Sequence, residues 1–426
     1  MSQLNNTLKL LNLKDENIIF YDNYLSEGVI KGKRSLIFEG YLTYTPEGCP
    51  CCGCVFDKNI VKHGYKLSKL TVPKISNLAS YLYLYKQRYK CRHCNHTFSC
   101  TTNEIDKYCY ISNNTKHSIA LEATKKISEK DIAINNNVSH STVNRIIDSY
   151  QSHIKVCRNY LPKNLCFDEF KSVKSAVGAM SFNFCNADTG EIIDIVEDRR
   201  LYSLTRYFSR YSKDARSKVK NIVIDMYKPY IVLIKTMFPN ANIITDKFHT
   251  VQLVNRALNK TRISLMNKDK LNYNKLKRYW KLLLRDRDSL NHYKFQKYTC
   301  FNHLMTEVDI VDYLTSLDIT LNESYLFYQR VRQAISSKDT QAFDNIIDTH
   351  CSNLSSYMIT ARNTLIEHRK YIHNSINCNL TNARIEGINN LIKVIKRISF
   401  GYRSFLHFKA RILLISGLIK PTYNSI

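Results

Sequence analysis

Long apolar runs are missing from this chain of 426 residues, and no uninterrupted stretch approaches the ~20 residues needed to cross a bilayer. Residues 1–20 carry scattered charges, with no apolar segment ahead of a small-residue cleavage site, so no secretory leader is read there. These two absences set the expectation of a cytoplasmic, nucleoid-associated protein with no membrane partner, whose 14 cysteines stay reduced. Glycine and proline are scarce, at 11 and 7, while Lys, Asn, Ile and Tyr are abundant. That bias fits AT-rich codons and carries no functional weight. Carboxylates are few as well: 36 Asp and Glu stand against 63 Lys and Arg, for a formal net charge of +27. The excess is spread along the whole chain and attracts polyanions, of which nucleic acid is the commonest. Charge thus names a class of partner and no chemistry. With 44% hydrophobic residues, the chain can bury sizeable cores in two or three domains.

Eight of the fourteen cysteines fall between Cys49 and Cys109. Cys49 and Cys52 form one C-x-x-C pair, Cys91 and Cys94 another. A two-residue gap lets both thiolates of a tight turn point at one ion, and Gly53 supplies the freedom such a turn needs. Two such knuckles make a tetrahedral Zn2+ site with no open position, hence a structural one. Cys51, Cys54, Cys100, His93 and His96 remain alternative ligands. Residues 60–90 between the pairs read as strands, with Tyr81, Tyr83, Tyr85 and Tyr89 at even spacing around Lys86-Gln87-Arg88. The whole reads as a zinc ribbon over residues 1–112.

Residues 113–155 read as a helix-turn-helix. A short helix over 128–134 turns Ile132 and Ala133 inward, 135–138 form a turn, and Ser139 caps a second helix. Ser141, Thr142 and Arg145 then lie on the face that such a helix presents to base edges in the major groove.

From residue 163 the pattern changes. Apolar runs ending at Asp168-Glu169, over 176–185 and over 192–196 give a three-strand meander with a turn at 186–190. A helix over 201–218, a buried strand over 221–224 ending at Asp225, a helix over 229–238 and a strand at 243–244 ending at Asp246 follow. The order β-β-β-α-β-α-β suggests an RNase H-like sheet, in which the first and fourth strands are neighbours, so Asp168 and Asp225 are expected to meet. Two carboxylates and a third can hold two Mg2+ (or Mn2+) ions ~4 Å apart. Glu169 competes with Asp168, but alternation along a strand lets only one of them face the site. Asp246 is either a further ligand or the partner of His249. The third carboxylate is Glu386, at the start of a helix reaching about Arg397. Ile385, Ile388, Ile392 and Ile395 give that helix an apolar stripe, while Glu386, Asn389 or Asn390, Lys393 and Arg397 share the adjoining face.

On these residues the chain resembles the insertion-sequence transposases of the ISL3 family, DDE transposases with an RNase H-like catalytic domain. The resemblance is carried by Phe167-Asp168-Glu169-Phe170, Ile224-Asp225 with Pro229-Tyr230, and Phe238-Pro239-Asn240-Ala241 leading into Asp246-Lys247-Phe248-His249. Its most specific part runs from Arg384 through Glu386, Asn389, Asn390, Lys393, Lys396-Arg397 and Phe400-Gly401-Tyr402-Arg403 to Phe408 and Arg411. It implies that Asp168, Asp225 and Glu386 are the catalytic triad, with Asp246 and His249 as an accessory Asp-x-x-His pair. It further implies double-stranded DNA as partner, both element ends and target, contacted by the helix-turn-helix and by Lys393, Lys396, Arg397 and Arg403. Two protomers are expected on paired ends. The competing readings are a non-catalytic DNA-binding regulator and a nuclease that cuts without joining.

The full expectation is a multidomain α+β chain, its catalytic domain in two parts, 160–253 and 373–426, interrupted by an all-helical insertion at 254–372. That insertion opens with a basic stretch around Trp280. Trp280 either stacks on a flipped base or sits in a small helical core, the second being the commoner fate of such a residue.

Overall fold

Alternating burial is weak along the first strand of the N-terminal sheet, which explains why its sequence announces it poorly. In this computed structural model, which describes residues 3–55, 58–154 and 156–422, helix α1 (Gln3–Leu10) precedes β1 (Ile18–Ile30) and β2 (Lys33–Leu42). Beyond Phe20, β1 is almost entirely exposed or half-buried. β3 (Ile60–Ile75) and β4 (Leu78–Cys91) form a long hairpin, and β5 (Thr97–Ser99) pairs with β4. The sheet order is β1-β2-β4-β3, with β2 and β4 parallel and the other pairs antiparallel. Phe20, Phe38, Leu42, Leu70, Val72, Leu82 and Leu84 build its core. The cysteine knuckles are therefore set in a five-stranded sheet, larger than the two strands read between them.

Three short helices follow, α2 (Asn113–Glu122), α3 (Glu129–Asn135) and α4 (His140–Ser149). Each is started by a serine, Ser112, Ser128 or Ser139, whose side chain accepts the backbone N–H three residues on. Ile132, Ala133, Val143, Ile146 and Ile147 are buried between them.

The chain divides into two compact units. The first comprises Met1–Lys155, Val173–Ala176 and Leu391–Ile426, and the second comprises Val156–Ser172 and Val177–Asn390. The second unit is organised on β6 (Asn164–Lys171), β7 (Met180–Asn186), β8 (Ile192–Val196), β9 (Asn221–Ile224) and β10 (Asn242–Thr245). Their order is β10-β9-β6-β7-β8. β6, β7 and β8 form an antiparallel meander, while β9 runs parallel to both β6 and β10. Phe167, Phe182, Phe184, Phe208 and Phe238 pack in its core, Phe167 stacked on Phe208 and edge-to-face with Phe182 and Phe238. Two details differ from the sequence reading. The second strand begins at Met180, because residues 172–179 close a loop in which Ser172 N–H donates to the Ala179 carbonyl, 2.8 Å. The helix expected over 201–218 is two, α5 (Leu201–Phe208) and α6 (Lys213–Ser217), because Ser212 accepts the Ala215 N–H and starts a new helix.

After α7 (Lys228–Met237), helix α8 (Lys247–Lys268) runs through residue 254 without a break, so the helical region starts at the end of β10. α9 (Tyr273–Arg278), α10 (Trp280–Leu283), α11 (Glu307–Ser316) and α12 (Ile319–Ser336) continue it. α13 (Thr340–Asp348), α14 (Ser356–Glu367) and α15 (Arg369–Ile376) complete it around one apolar core. The region is not purely helical: β11 (Gln296–Lys297) and β12 (Leu304–Met305) form a small hairpin. Trp280 is half-buried with the Lys281 ammonium 5.8 Å from its ring centroid, whereas its neighbour Tyr279 belongs to the core. No helix among the described residues is long and apolar enough to cross a membrane.

The C-terminal helices are α16 (Ala383–Ile398) and α17 (Phe405–Ile415). All four isoleucines of the α16 stripe are buried. Arg411 of α17 is fully buried in the first unit. Its guanidinium donates to the carbonyls of Ala123, Lys125 (3.2 Å) and Ile127 (2.7 Å), satisfying the link between α2 and α3. One turn earlier, His407 lies 3.0 Å from Glu129 and 2.7 Å from Asp148. Burial opposes the charged imidazole, but bonding to Glu129 and Asp148 outweighs it and raises its pKa. Burial likewise opposes the Glu129 carboxylate, and His407 overcomes it, lowering the pKa. The sign follows by linkage. The histidine contribution is complete below its unfolded value and lost as pH rises through the raised folded one. The glutamate contribution is present above its unfolded value and lost as pH falls through the lowered one. The first unit should therefore melt highest between the ordinary Glu and His values. His407→Gln should cost about 3 kcal/mol and flatten the decline of melting temperature from neutral to alkaline pH. A wild-type melting temperature independent of pH over that range contradicts this account.

Candidate metal centre and active site

Cys49 and Cys52 lie on the loop entering β3, and Cys91 and Cys94 lie at the end of β4. Ile60 is in register with Cys91, so the two knuckles meet at the open end of the hairpin. In the first knuckle Gly53 N–H donates to the Cys49 carbonyl (2.9 Å) and Cys49 N–H to that of Cys54 (2.7 Å). In the second, Cys91 N–H donates to the His96 carbonyl, 2.9 Å. The residue after each second cysteine is left-handed, Gly53 at φ 73° and Asn95 at φ 58°. Asn is the side chain that best tolerates this region after Gly. The thiols converge: Cys49 and Cys94 Sγ are 3.6 Å apart, Cys52 and Cys91 Sγ 3.7 Å. Four sulfurs around Zn2+ at ~2.3 Å stand roughly 3.8 Å apart along each tetrahedral edge, so the spacing fits the ion. The Cys94 N–H lowers the Cys91 thiol, while at Cys94 the His96 N–H is outweighed by burial and the neighbouring thiols, which raise it, so the cluster holds protons that a bound ion would displace. Of the alternative ligands, Cys54 and His93 group with Cys52, whereas Cys51, Cys100 and His96 join no cluster among the described residues.

The acidic residues are positioned by the sheet of the second unit. β6 and β9 are parallel with Cys166 opposite Val223, and that register, carried two residues on, puts Asp168 beside Asp225. Asp168 faces α16, where Asn389 Nδ2 donates to its Oδ2 at 2.7 Å. Asn389 Oδ1 in turn accepts from Asn183 Nδ2 at 3.1 Å, and Asn183 is the register partner of Asp168 on β7. Glu169 points the other way, to Arg199 (2.5 Å) and to the Tyr230 hydroxyl (2.8 Å). His249, in the first turn of α8, has its Nε2 3.0 Å from Asp225 Oδ1 and 3.7 Å from Glu386 Oε1. The Glu386 side chain is 45% exposed, which leaves it open to a ligand. Asp246 is buried and has another task. It caps α8 through the N–H groups of Phe248 and His249 and accepts the Asn382 N–H at 3.0 Å. Asn382 Nδ2 then reaches Asp225 at 3.3 Å. The pairing of Asp246 with His249 is thus a backbone cap, and the imidazole is spent on the other two carboxylates.

Electrostatics mark the same group. Burial above all, then the charges of Asp225, Glu169 and Glu386, push the Asp168 pKa up to about 7 against the stabilising Glu169 N–H. Burial also raises that of Asp225, with His249 opposing. Such a cluster gains from a cation placed among its oxygens. The three carboxylates do not crowd onto a single point: the described groups whose ligand atoms lie within 4.8 Å of one another consist of Cys and His. A two-ion site spreads its ligands over ~4 Å between metals, which suits the looser arrangement. The donor set is all oxygen and imidazole, compatible with Mg2+ or Mn2+.

Ser141 and Arg145 are exposed on α4, and the Thr142 hydroxyl is shared with Ser139 (3.0 Å) and Arg145 (3.3 Å). Lys393, Arg397 and Arg403 are exposed, while Lys396 is half-buried with its ammonium 5.4 Å from the Phe408 ring. Asn183 and Asn382 escaped the sequence reading. The available signal for Asn183 was an amide flanked by Phe182 and Phe184 in an otherwise apolar strand.

Comparison with known proteins gives first the class. Residues 165–412 match a DDE family model described as "Transposase", and residues 101–151 match the "Helix-turn-helix domain of transposase family ISL3". Together they define a transposase with a helix-turn-helix domain. The first match covers more than half of the sequence, and the chain belongs to the ISL3 transposase family. The "Transposase for insertion sequence element IS1001" of Bordetella parapertussis is 30% identical over 217 residues, 48% of this chain and 50% of that protein. A Lactococcus lactis subsp. lactis protein named "ATP-dependent protease" is 33% identical over 113 residues, 26% of this chain and 36% of that protein. The chain thus matches half or less of the length of these relatives.

Proposed function

We propose that this chain binds the terminal inverted repeats of an insertion sequence and catalyses divalent-metal-dependent cleavage and transfer of the DNA strand. The gathering of Asp168, Asp225 and Glu386 around His249 and Asn389 carries the reading. The strand order β10-β9-β6-β7-β8 supports an RNase H-like catalytic domain, with the helical region after β10 inserted before α16. Asp168, Asp225 and Glu386 are the residues that would hold Mg2+ or Mn2+. When bound, the ions supply a nucleophile of lowered pKa and neutralise charge at the phosphodiester. The rest falls to the protein. Asn389 fixes the rotamer of Asp168, Asp246 anchors Asn382 and α8, and His249 holds Asp225 toward Glu386. Ser141, Thr142 and Arg145 read the element ends, Lys393, Lys396, Arg397 and Arg403 take phosphates, and two protomers pair two ends. Zn2+ on Cys49, Cys52, Cys91 and Cys94 holds the N-terminal sheet.

Incubation of the full chain with end-containing duplex DNA tests this. Cleavage and joining should require Mg2+ or Mn2+. Binding without any cleavage means a regulator, and cleavage without joining means a nuclease. Asn389→Ala removes the positioning donor of Asp168 without removing a ligand. It should lower cleavage about 10- to 100-fold, the scale of outer-shell partners, and raise the metal concentration needed for half-maximal rate. An unchanged metal requirement contradicts that role.

A further inference from the structure

Helix α8 starts at the carboxylate site and runs away from it, and its outer face has no task in the reading above. Val254, Ala257 and Leu258 turn inward to the apolar core of the helical region. His249, Arg256, Lys260 and Asn267 fall within about 40° of one another around a helix of ~3.6 residues per turn. The face that brings His249 to Asp225 and Glu386 therefore continues outward through Arg256, Lys260 and Asn267, all three exposed. At a rise of about 1.5 Å per residue they stand roughly 10, 16 and 27 Å from His249 along the axis.

Charge on this face has one sign. α8 carries Lys247, Arg256, Lys260, Arg262 and Lys268, and no Asp or Glu. Its far end borders a cleft of about 560 Å³ lined by Lys260, Ile263, Ser264, Asn267, Lys268 and Tyr357, with no carboxylate among them. The Lys260 ammonium stands 5.8 Å from the ring centroid of Tyr357, at the start of α14. None of Arg256, Lys260 and Lys268 is in an ion pair among the described residues. Two carboxylates come near the cleft, and both are engaged. Asp318 lines a smaller cavity that shares Ser264, Lys268 and Tyr357, and it caps α12 by accepting the Leu321 N–H at 2.8 Å. Asp269, next to Lys268, accepts from the backbone N–H and the Nδ2 of Asn272. Cations spaced along one axis and ending in a cleft roomy enough for a sugar-phosphate suit the evenly spaced charge of a DNA backbone. We propose that the outer face of α8 carries duplex DNA away from the carboxylates, Arg256 and Lys260 holding backbone phosphates and Lys268 holding a further one in the cleft. The inference deepens the reading of the carboxylate site and rests on it for the point where the track begins. At ~3.4 Å per nucleotide of one strand, Arg256, Lys260 and Lys268 fall about three, five and eight phosphates from the cleaved position.

The test uses the full, zinc-loaded chain with Ca2+ in place of Mg2+, and end-containing duplexes in which single phosphates are replaced by neutral methylphosphonates, walked outward from the position the wild type cuts. Replacement at each of three positions should weaken wild-type binding about threefold or more. Arg256→Gln should silence the innermost position, Lys260→Gln the middle one and Lys268→Gln the outermost. Each substitution should also lower the slope of log affinity against log salt by about one. Lys268→Arg, which keeps the charge, should retain both the outermost position and the slope. Should Lys260→Gln disturb the fold through Tyr357, Arg256→Gln and Lys268→Gln decide by themselves. Sensitive positions that persist in the variants, or that appear in another order, overturn the proposal. So does a salt slope that the substitutions leave unchanged, or a dimer that they disperse while affinity for DNA stays the same. A wild type that binds but never cuts removes the catalytic reading alone, and the order of the three positions along the duplex still decides the track.

Discussion

Strand cleavage of end-containing DNA should fall by about a thousandfold or more when Asp168 becomes Asn, Asp225 becomes Asn or Glu386 becomes Gln. Removing one charged ligand forfeits several kcal/mol of transition-state stabilisation, and roughly 4 kcal/mol corresponds to three powers of ten in rate. The three effects should be similar in size and far from additive, because the carboxylates act on the same ions. Each substitution is nearly isosteric and relieves either the burial of a charged Asp168 or Asp225 or the repulsion that Asp225 and Glu386 exert on Asp168. Folding should therefore be unharmed or slightly improved, and affinity for duplex unchanged or higher. A melting curve and a binding isotherm beside the cleavage assay separate this outcome from simple unfolding. A variant that cuts at wild-type rate removes its residue from the catalytic set.

The second large effect concerns the cysteines. Cys91→Ser, or removal of metal by a strong chelator, should abolish zinc content and melt the N-terminal sheet. Structural zinc contributes on the order of 10 kcal/mol to small metal-built folds. Here the knuckles bind the loop entering β3 to the end of β4, where Ile60 meets Cys91. Without the ion, four thiols 3.6–3.7 Å apart in pairs have nothing to hold them together. Loss of β-type circular dichroism on chelation, restored by Zn2+, is the expected record. Cys51→Ser should leave zinc content intact, since Cys51 is exposed and outside the thiol cluster. A purified chain with no zinc and an intact sheet contradicts this part of the account.

Much of this could be read in the sequence, for definable reasons. The knuckles were legible because a C-x-x-C turn is a local object, and Gly53 marks its left-handed residue. The meander from β6 to β8 was legible because residues 186–190 are turn formers between apolar runs. The position of Asp225 followed from strand order alone. What the sequence hid is what long-range packing decides. β1 is solvent-facing or half-buried beyond Phe20, so no alternation announces it. The break at Ser212 depends on one capping hydroxyl within a stretch that otherwise reads as continuous helix. The role of Asp246 could not be inferred from Asp246-Lys247-Phe248-His249, because its second partner, the Asn382 N–H, lies 136 residues away. The asparagines that orient the carboxylates are likewise contributed by distant elements. Arg411 stood within the family-like run at the C-terminus, yet it is buried on backbone carbonyls.

The central claim is that residues 168, 225 and 386 share the same divalent ions. Iron-directed backbone cleavage measures this in one experiment: Fe2+ replaces Mg2+ in the zinc-loaded chain bound to end DNA, and ascorbate and peroxide generate hydroxyl radicals at the metal. The account predicts cuts near all three positions, suppressed together by excess Mg2+ and lost together in Asp225→Asn. Cuts near only one of them, or a pattern that Asp225→Asn leaves intact, would contradict it.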